Sequence, residues 1–98
     1  MSLPELWTLI RADLTRARNT LPDGAASHNA VVEYEEFLNH NERELACDML
    51  EVYAQGQRVS KEFWLALGDA AARMQLPDRA RRYKKYAENF RISNLTGK

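Results

Sequence analysis

Glu44, Asp48 and Glu51 stand at i, i+4 and i+7, a spacing that puts three carboxylates on one face of a helix. Cys47 lies among them and His40 precedes them, so one short stretch holds the lone thiol and one of the two imidazoles. A thiol–imidazole nucleophile needs the base within hydrogen-bond reach and a lowered thiol pKa. Cys47 and His40 are seven residues apart across a break in the helical pattern, and the acidic neighbours would raise the thiol pKa. A zinc site needs ligands at recognised spacings, and neither His28 nor His40 has a histidine or cysteine at i+3 or i+4. Paired carboxylates can do acid–base work, but the adjacent Glu35 and Glu36 point in different directions from a helix. The chain has no glycine-rich phosphate loop, no GxSxG and no HExxH. We therefore expect a non-enzymatic chain with no catalytic, cofactor-binding or metal-binding residues.

Charge layout carries the remaining signal. From Ala30 to Glu51 there are seven acidic residues and one basic one, Arg43. From Arg73 to Lys98 there are eight basic residues and two acidic ones. The net charge of zero hides an acidic middle and a basic end. Like charges at i, i+4 destabilise a helix by a few tenths of a kcal/mol. The acidic stripe is thus solvated, paired with the basic end, or kept for a partner. On the third reading Glu33, Glu36, Glu44, Asp48 and Glu51 form a protein-binding face. The alternative face is basic: Arg81, Arg82 and Lys85, with Tyr86 nearby, could contact phosphates. No helix-turn-helix reads clearly, and the acidic middle would repel nucleic acid, so that partner ranks last.

Five helical patterns must position these groups. Ser2 and Glu5 have capping-box spacing, and Leu3, Leu6, Trp7, Ile10, Leu14, Ala17 and Leu21 share a face, with Asp13 elsewhere. This predicts a helix over 3–20, ended by the turn Leu21–Pro22–Asp23–Gly24. Ala30, Val31, Tyr34, Phe37 and Leu38 predict a second over 28–39, with Ser27 or Asn29 as cap. Asn41 reads as the N-cap of a third, over 42–55, with Glu44 at capping-box spacing and Gly56 as a left-handed stop. Its apolar face would be Leu45, Ala46, Met49, Leu50, Val52 and Tyr53, with Cys47 on the edge. Ser60 opens a fourth over 61–75, apolar nearly all round and hence central, with Gly68 explained by close packing. The fifth, over 78–92, uses Ala80, Tyr83, Tyr86, Ala87 and Phe90, and 93–98 reads as a frayed tail. We expect an all-α, single-domain bundle of about five helices joined as antiparallel hairpins.

Ninety-eight residues suit one domain, which buries roughly 60–70 % of its unfolded surface. A single cysteine excludes an internal disulfide and fits a reducing compartment. No signal-peptide pattern and no run long enough for a membrane span are present, so the expected location is cytoplasmic and no membrane partner is expected.

Glu36-Phe37-Leu38, His40-Asn41-Glu42, Leu45-Ala46 and Leu50 follow an E-(Y/F)-L-x-H-N-E-x-x-L-A-x-x-x-L pattern. With EFWLALGDAAARMQL downstream, the stretch from Val32 to Leu76 resembles a group of small all-helical bacterial proteins, some labelled MafI-type immunity proteins. Arg43 and Cys47 depart from the aliphatic or small residues expected there. The resemblance implies that the chain protects a bacterial cell by binding a toxin, whose basic domain an acidic helix pair would suit. The alternative is a regulatory module that self-associates, so a homo-oligomer is compatible with the sequence.

Overall fold

Ser2 Oγ accepts a hydrogen bond from the Glu5 N–H at 3.3 Å, and Glu5 Oε1 accepts from the Ser2 N–H at 2.8 Å. This capping box starts α1, Leu3–Arg18, in the computed structural model, which describes the backbone of residues 2–96 and the side chains of residues 2–89. A 3₁₀ turn, Asp23–Ser27, leads to α2, Asn29–Asn39, then α3, Arg43–Gly56, α4, Lys61–Arg73, and α5, Pro77–Thr96. The chain is all-α, and the described residues contain no strand.

Several expected boundaries shift for physical reasons. Helix α1 ends two residues early, at Arg18, because Thr20 and Leu21 close 3₁₀-type bonds onto Ala17 and Arg18. His28, rather than Ser27 or Asn29, caps α2, its Nδ1 accepting from the Ala30 N–H at 3.1 Å. Asn41 is not an N-cap. It has φ 61° and closes α2: Glu42 N–H bonds Phe37 O at 2.8 Å and Asn41 N–H bonds Leu38 O at 3.0 Å. That is a Schellman motif with asparagine in the left-handed position. Helix α3 therefore begins after Glu42 with no side-chain cap, and the expected Asn41–Glu44 capping box is absent. Gly56 is the last residue of α3 and has no positive φ, so it is not a left-handed stop.

Helix α4 ends at Arg73 by the same device, with Gln75 at φ 60°, Leu76 N–H on Ala71 O at 2.9 Å and Gln75 N–H on Ala72 O at 3.1 Å. Helix α5 runs on to Thr96 rather than fraying after Ile92, since no glycine or proline interrupts 78–96. Residues 97–98 of the expected tail, and the Phe90 side chain, lie outside the described residues.

The left-handed positions make a test. Gln75→Gly should raise stability by up to about 1 kcal/mol, because a Cβ at positive φ costs that much and glycine removes it. Asn41→Gly should gain less, since asparagine tolerates this region better. Thermal melts decide: a loss in both variants would mean that neither backbone is held left-handed.

Each helix runs opposite to the one before it. Asp13 meets Arg73 and Arg16 meets Asp69 between α1 and α4, and Gly68 lies against Tyr83 and Ala80 between α4 and α5. Helix α4 is the central one, burying Phe63, Ala66, Leu67, Ala70 and Ala71 against α1 and α5. It is not apolar all round in effect, because Leu65 faces solvent. The core face of α1 is Ile10, Leu14 and Ala17, whereas Leu3 and Trp7, expected inside, are exposed. Asp13, expected elsewhere, is buried between Arg16 at 3.0 Å and Arg73 at 2.7 Å.

Close packing does not explain Gly68. A Cβ there would meet Tyr83 Cβ at 3.7 Å and Ala80 O at 3.9 Å, which is ordinary van der Waals contact. Gly68→Ala should therefore raise stability by about 1 kcal/mol, the propensity difference in a helix interior. A lowered melting temperature would show that the α4–α5 spacing cannot accept even a methyl group.

Candidate functional site

The three stripe carboxylates meet α5. Asp48 Oδ1 lies 2.5 Å from Arg79 Nη1, and Glu44 Oε2 lies 3.8 Å from Arg79 Nη2. Arg79 Nη1 is buried without an aligned hydrogen bond, so its contact with Asp48 is an ion pair held by charge. Arg82 Nη2 donates to both Glu51 oxygens, at 2.8 and 3.1 Å, and the Tyr83 hydroxyl donates to Glu51 Oε1 at 2.6 Å. The pairs Asp48–Arg79 and Glu51–Arg82 share one sequence separation of 31, so α3 and α5 run parallel with their charges in register. The basic end thus answers the acidic middle through Arg79 and Arg82. Arg79 was not among the basic-face residues read from the sequence, although its spacing to Arg82 matches that of Asp48 to Glu51.

Cys47 belongs to this seam and not to an edge of α3. It is fully buried, with Sγ 3.8 Å from the Tyr83 hydroxyl. That hydroxyl gives its proton to Glu51, so the thiol is the donor in the contact. Burial pushes the Cys47 pKa up to about 11, the Tyr83 contact and Arg79 opposing and Asp48 adding a little. Burial, with Cys47 and Glu51 beside it, also raises the Tyr83 pKa. The thiol is neutral at ordinary pH and sealed from solvent, which is the opposite of an activated nucleophile. His40 faces elsewhere, its Nδ1 2.8 Å from Glu36 O at the end of α2.

Opposite the core, α3 presents something that periodicity had assigned to the inside. Leu45 is 38 % exposed and Val52 47 %, and Met49, between them at i+4, is half-buried. They form an apolar row along the outer face of α3. Glu44, with 61 % of its side chain exposed, borders the row on the α5 side. On α2, packed beside α3, Glu33 and Glu36 are exposed and Val32 is 44 % exposed. The five expected binding residues therefore divide. Glu51 and Asp48 are turned into the seam, while Glu33, Glu36 and Glu44 remain exposed.

The alternative basic face divides likewise. Arg82 belongs to the seam, Arg81 pairs with Asp78, and Lys85 is exposed. Tyr86 lies against Trp64, ring centroids 4.7 Å apart. A groove of about 300 Å³ is lined by Leu6, Trp7, Ile10, Arg43, Arg73, Met74 and Gln75, with Glu44 on its wall. Its cations are engaged: Arg43 donates to Asn41 O at 3.1 Å and lies over the Trp7 ring at 4.9 Å, and Arg73 holds Asp13.

Among the described residues no group of three or more histidine, cysteine or acidic side chains could hold a metal ion. No helix there is long and apolar enough to cross a membrane. No family model, curated protein or solved structure matches the chain.

Proposed function

We propose that this chain is a non-catalytic protein-binding domain that engages a basic protein surface through the outer face of α2 and α3. Its most specific form is an immunity protein that neutralises a bacterial toxin by covering it. The observation that supports the reading is the pair of exposed apolar side chains Leu45 and Val52 on α3, with Glu44 exposed beside them and Glu33 and Glu36 exposed on α2 of the same hairpin. An apolar centre inside a charged rim is the anatomy of a protein interface. Rim carboxylates speed encounter with a cationic partner and make it salt-sensitive. Pairing this face with a second copy of itself would set Glu33, Glu36 and Glu44 against their own kind, which disfavours the self-associating alternative here.

The immunity role rests on the motif from Glu36 to Leu50. Most of its positions build the hairpin that carries the face. Phe37 and Leu38 supply the carbonyls of the Schellman motif, Asn41 takes the left-handed turn, and Ala46 and Leu50 are fully buried. Leu45 is the motif's exposed apolar residue on α3.

Paired affinity captures from a lysate of the source organism test the proposal, one with the native chain as bait and one with Leu45→Ser/Val52→Ser. The expected result is a cationic protein held by the first bait and lost from the second, released by salt. Co-expression with the native chain should then relieve any toxicity of that protein. Equal capture by both baits would refute the face, and a captured protein harmless on its own would refute the immunity role.

A further inference from the structure

We infer that His28 is a pH-operated clasp at the entry to α2, closing the first turn of that helix while neutral and releasing it when protonated. This is independent of the binding face. It stands on the hydrogen bonds at the two ends of α2, where the two histidines of the chain lie.

The partner at each end fixes which ring nitrogen carries hydrogen. His28 Nδ1 lies 3.1 Å from the Ala30 nitrogen, and a backbone N–H can only donate. Nδ1 is therefore the acceptor, and the neutral ring carries its hydrogen on Nε2. His40 Nδ1 lies 2.8 Å from Glu36 O, and a carbonyl can only accept. There the hydrogen sits on Nδ1.

The two rings answer acid in opposite ways. Protonating His28 places a hydrogen on the nitrogen that accepts from Ala30, so the cap is lost and a donor faces a donor. It also sets a positive charge at the positive end of the helix dipole. Protonating His40 adds a hydrogen at Nε2 and leaves the bond to Glu36 O intact, at the helix end that favours a cation.

No neighbour relieves His28 of the change. Ser27 Oγ is turned back, donating to Gly24 O at 3.2 Å, so it does not take over the cap. Among the described residues no carboxylate pairs with the ring. From α3 the titratable group against it is Tyr53, whose ring meets the half-buried imidazole edge-on with centroids 4.9 Å apart. In the 3₁₀ turn packed beside α2 the titratable residue is Asp23, which is exposed, as is Glu33 on α2 itself. The α1 cations that reach α2, Arg11 and Arg18, are taken by Leu38 O and Glu35. The cap is thus present above the range in which imidazole ionises and is lost as pH falls through it, between about pH 8 and 5.

Melting temperatures of the native chain, His28→Asn and His40→Gln, each at about pH 7.5 and about pH 5.5, test the inference while ordinary carboxylates stay charged. Asparagine caps helices as well as any residue and does not titrate. The native chain should melt roughly 4–8 °C lower at the acid pH, the shift that loss of one cap gives in a domain this size. His28→Asn should hold its melting temperature across the interval, and His40→Gln should keep the full fall. Nitrogen-15 spectra of the native imidazoles give a reading that needs no variant. At the higher pH His28 should carry its hydrogen on Nε2 and His40 on Nδ1. On acidification the Ala30 amide should exchange several-fold faster, corrected for the intrinsic rate, while amides of α4 hold. An unchanged native melt, a fall that persists in His28→Asn or vanishes in His40→Gln, or an Nδ1–H tautomer at His28 would each overturn the inference.

Discussion

Glu51→Ala is expected to destabilise the fold by about 2–3 kcal/mol, the worth of a charge-assisted hydrogen bond together with an orphaned buried donor. Only 14 % of the Glu51 side chain is exposed, and it accepts from Arg82 and from the Tyr83 hydroxyl. Removing it strands the Tyr83 O–H beside Cys47 and leaves Arg82 to turn to solvent. In a domain this size the melting midpoint should fall by roughly 10 °C or more. The sign is what matters. A carboxylate stripe kept for a partner would gain stability from neutralisation, because like charges at i, i+4 repel. A level or raised melt for Glu51→Ala would show the seam to be energetically idle. Glu33→Gln/Glu36→Gln, on the presented face, should leave the melt unchanged. A double-mutant cycle with Tyr83→Phe isolates the hydroxyl's share.

Asp13→Ala is expected to destabilise by about 2 kcal/mol. Breaking a fully buried ion pair from one side costs about 3–5 kcal/mol, because the other charge stays buried. Here the cations are freer, with 38 % of the Arg73 side chain and 54 % of Arg16 exposed, so water recovers part of that loss. Chemical denaturation measures it. Asp13→Asn should fall between wild type and alanine, retaining an acceptor for Arg73 but not the charge. Equal stability of all three would mean that the α1–α4 contact owes nothing to this triad.

Local rules were legible where one residue has one use. Ser2 with Glu5 and Ser60 before Phe63 read correctly as caps, since serine at such positions has few other roles. Asn41 misled because asparagine serves both ends of a helix, as an N-cap and as a left-handed stop, and Glu44 stood at capping-box spacing by coincidence. Periodicity found the stripes but could not say how much of each is covered. Leu45 and Val52 belong to the same apolar pattern as Leu50, yet they are exposed where Leu50 is buried. Cys47 looked peripheral because its cover, Tyr83, comes from 36 residues away. The charge layout offered pairing of the acidic and basic segments as one of three readings, but not which arginines would carry it. Glu33 and Glu36 pair with no cation among the described residues, an outcome that their spacing on α2 could not foretell.

The parallel alignment of α3 with α5, and the antiparallel docking of α1 on α4, bear on how the chain assembles in time. Helices α2 with α3, and α4 with α5, are hairpins joined by three-residue turns, so their contacts close short loops and form early. Asp13 finds Arg73 only across 60 residues of chain, and Glu51 finds Arg82 across 31. Docking of α1 is therefore the late event, after the transition state, with the α3–α5 seam between the two. Asp13→Ala should then refold at nearly the native rate and unfold faster, a φ-value near zero in a chevron measurement. The face carried by α2 and α3 would exist on the assembling chain before the molecule is complete.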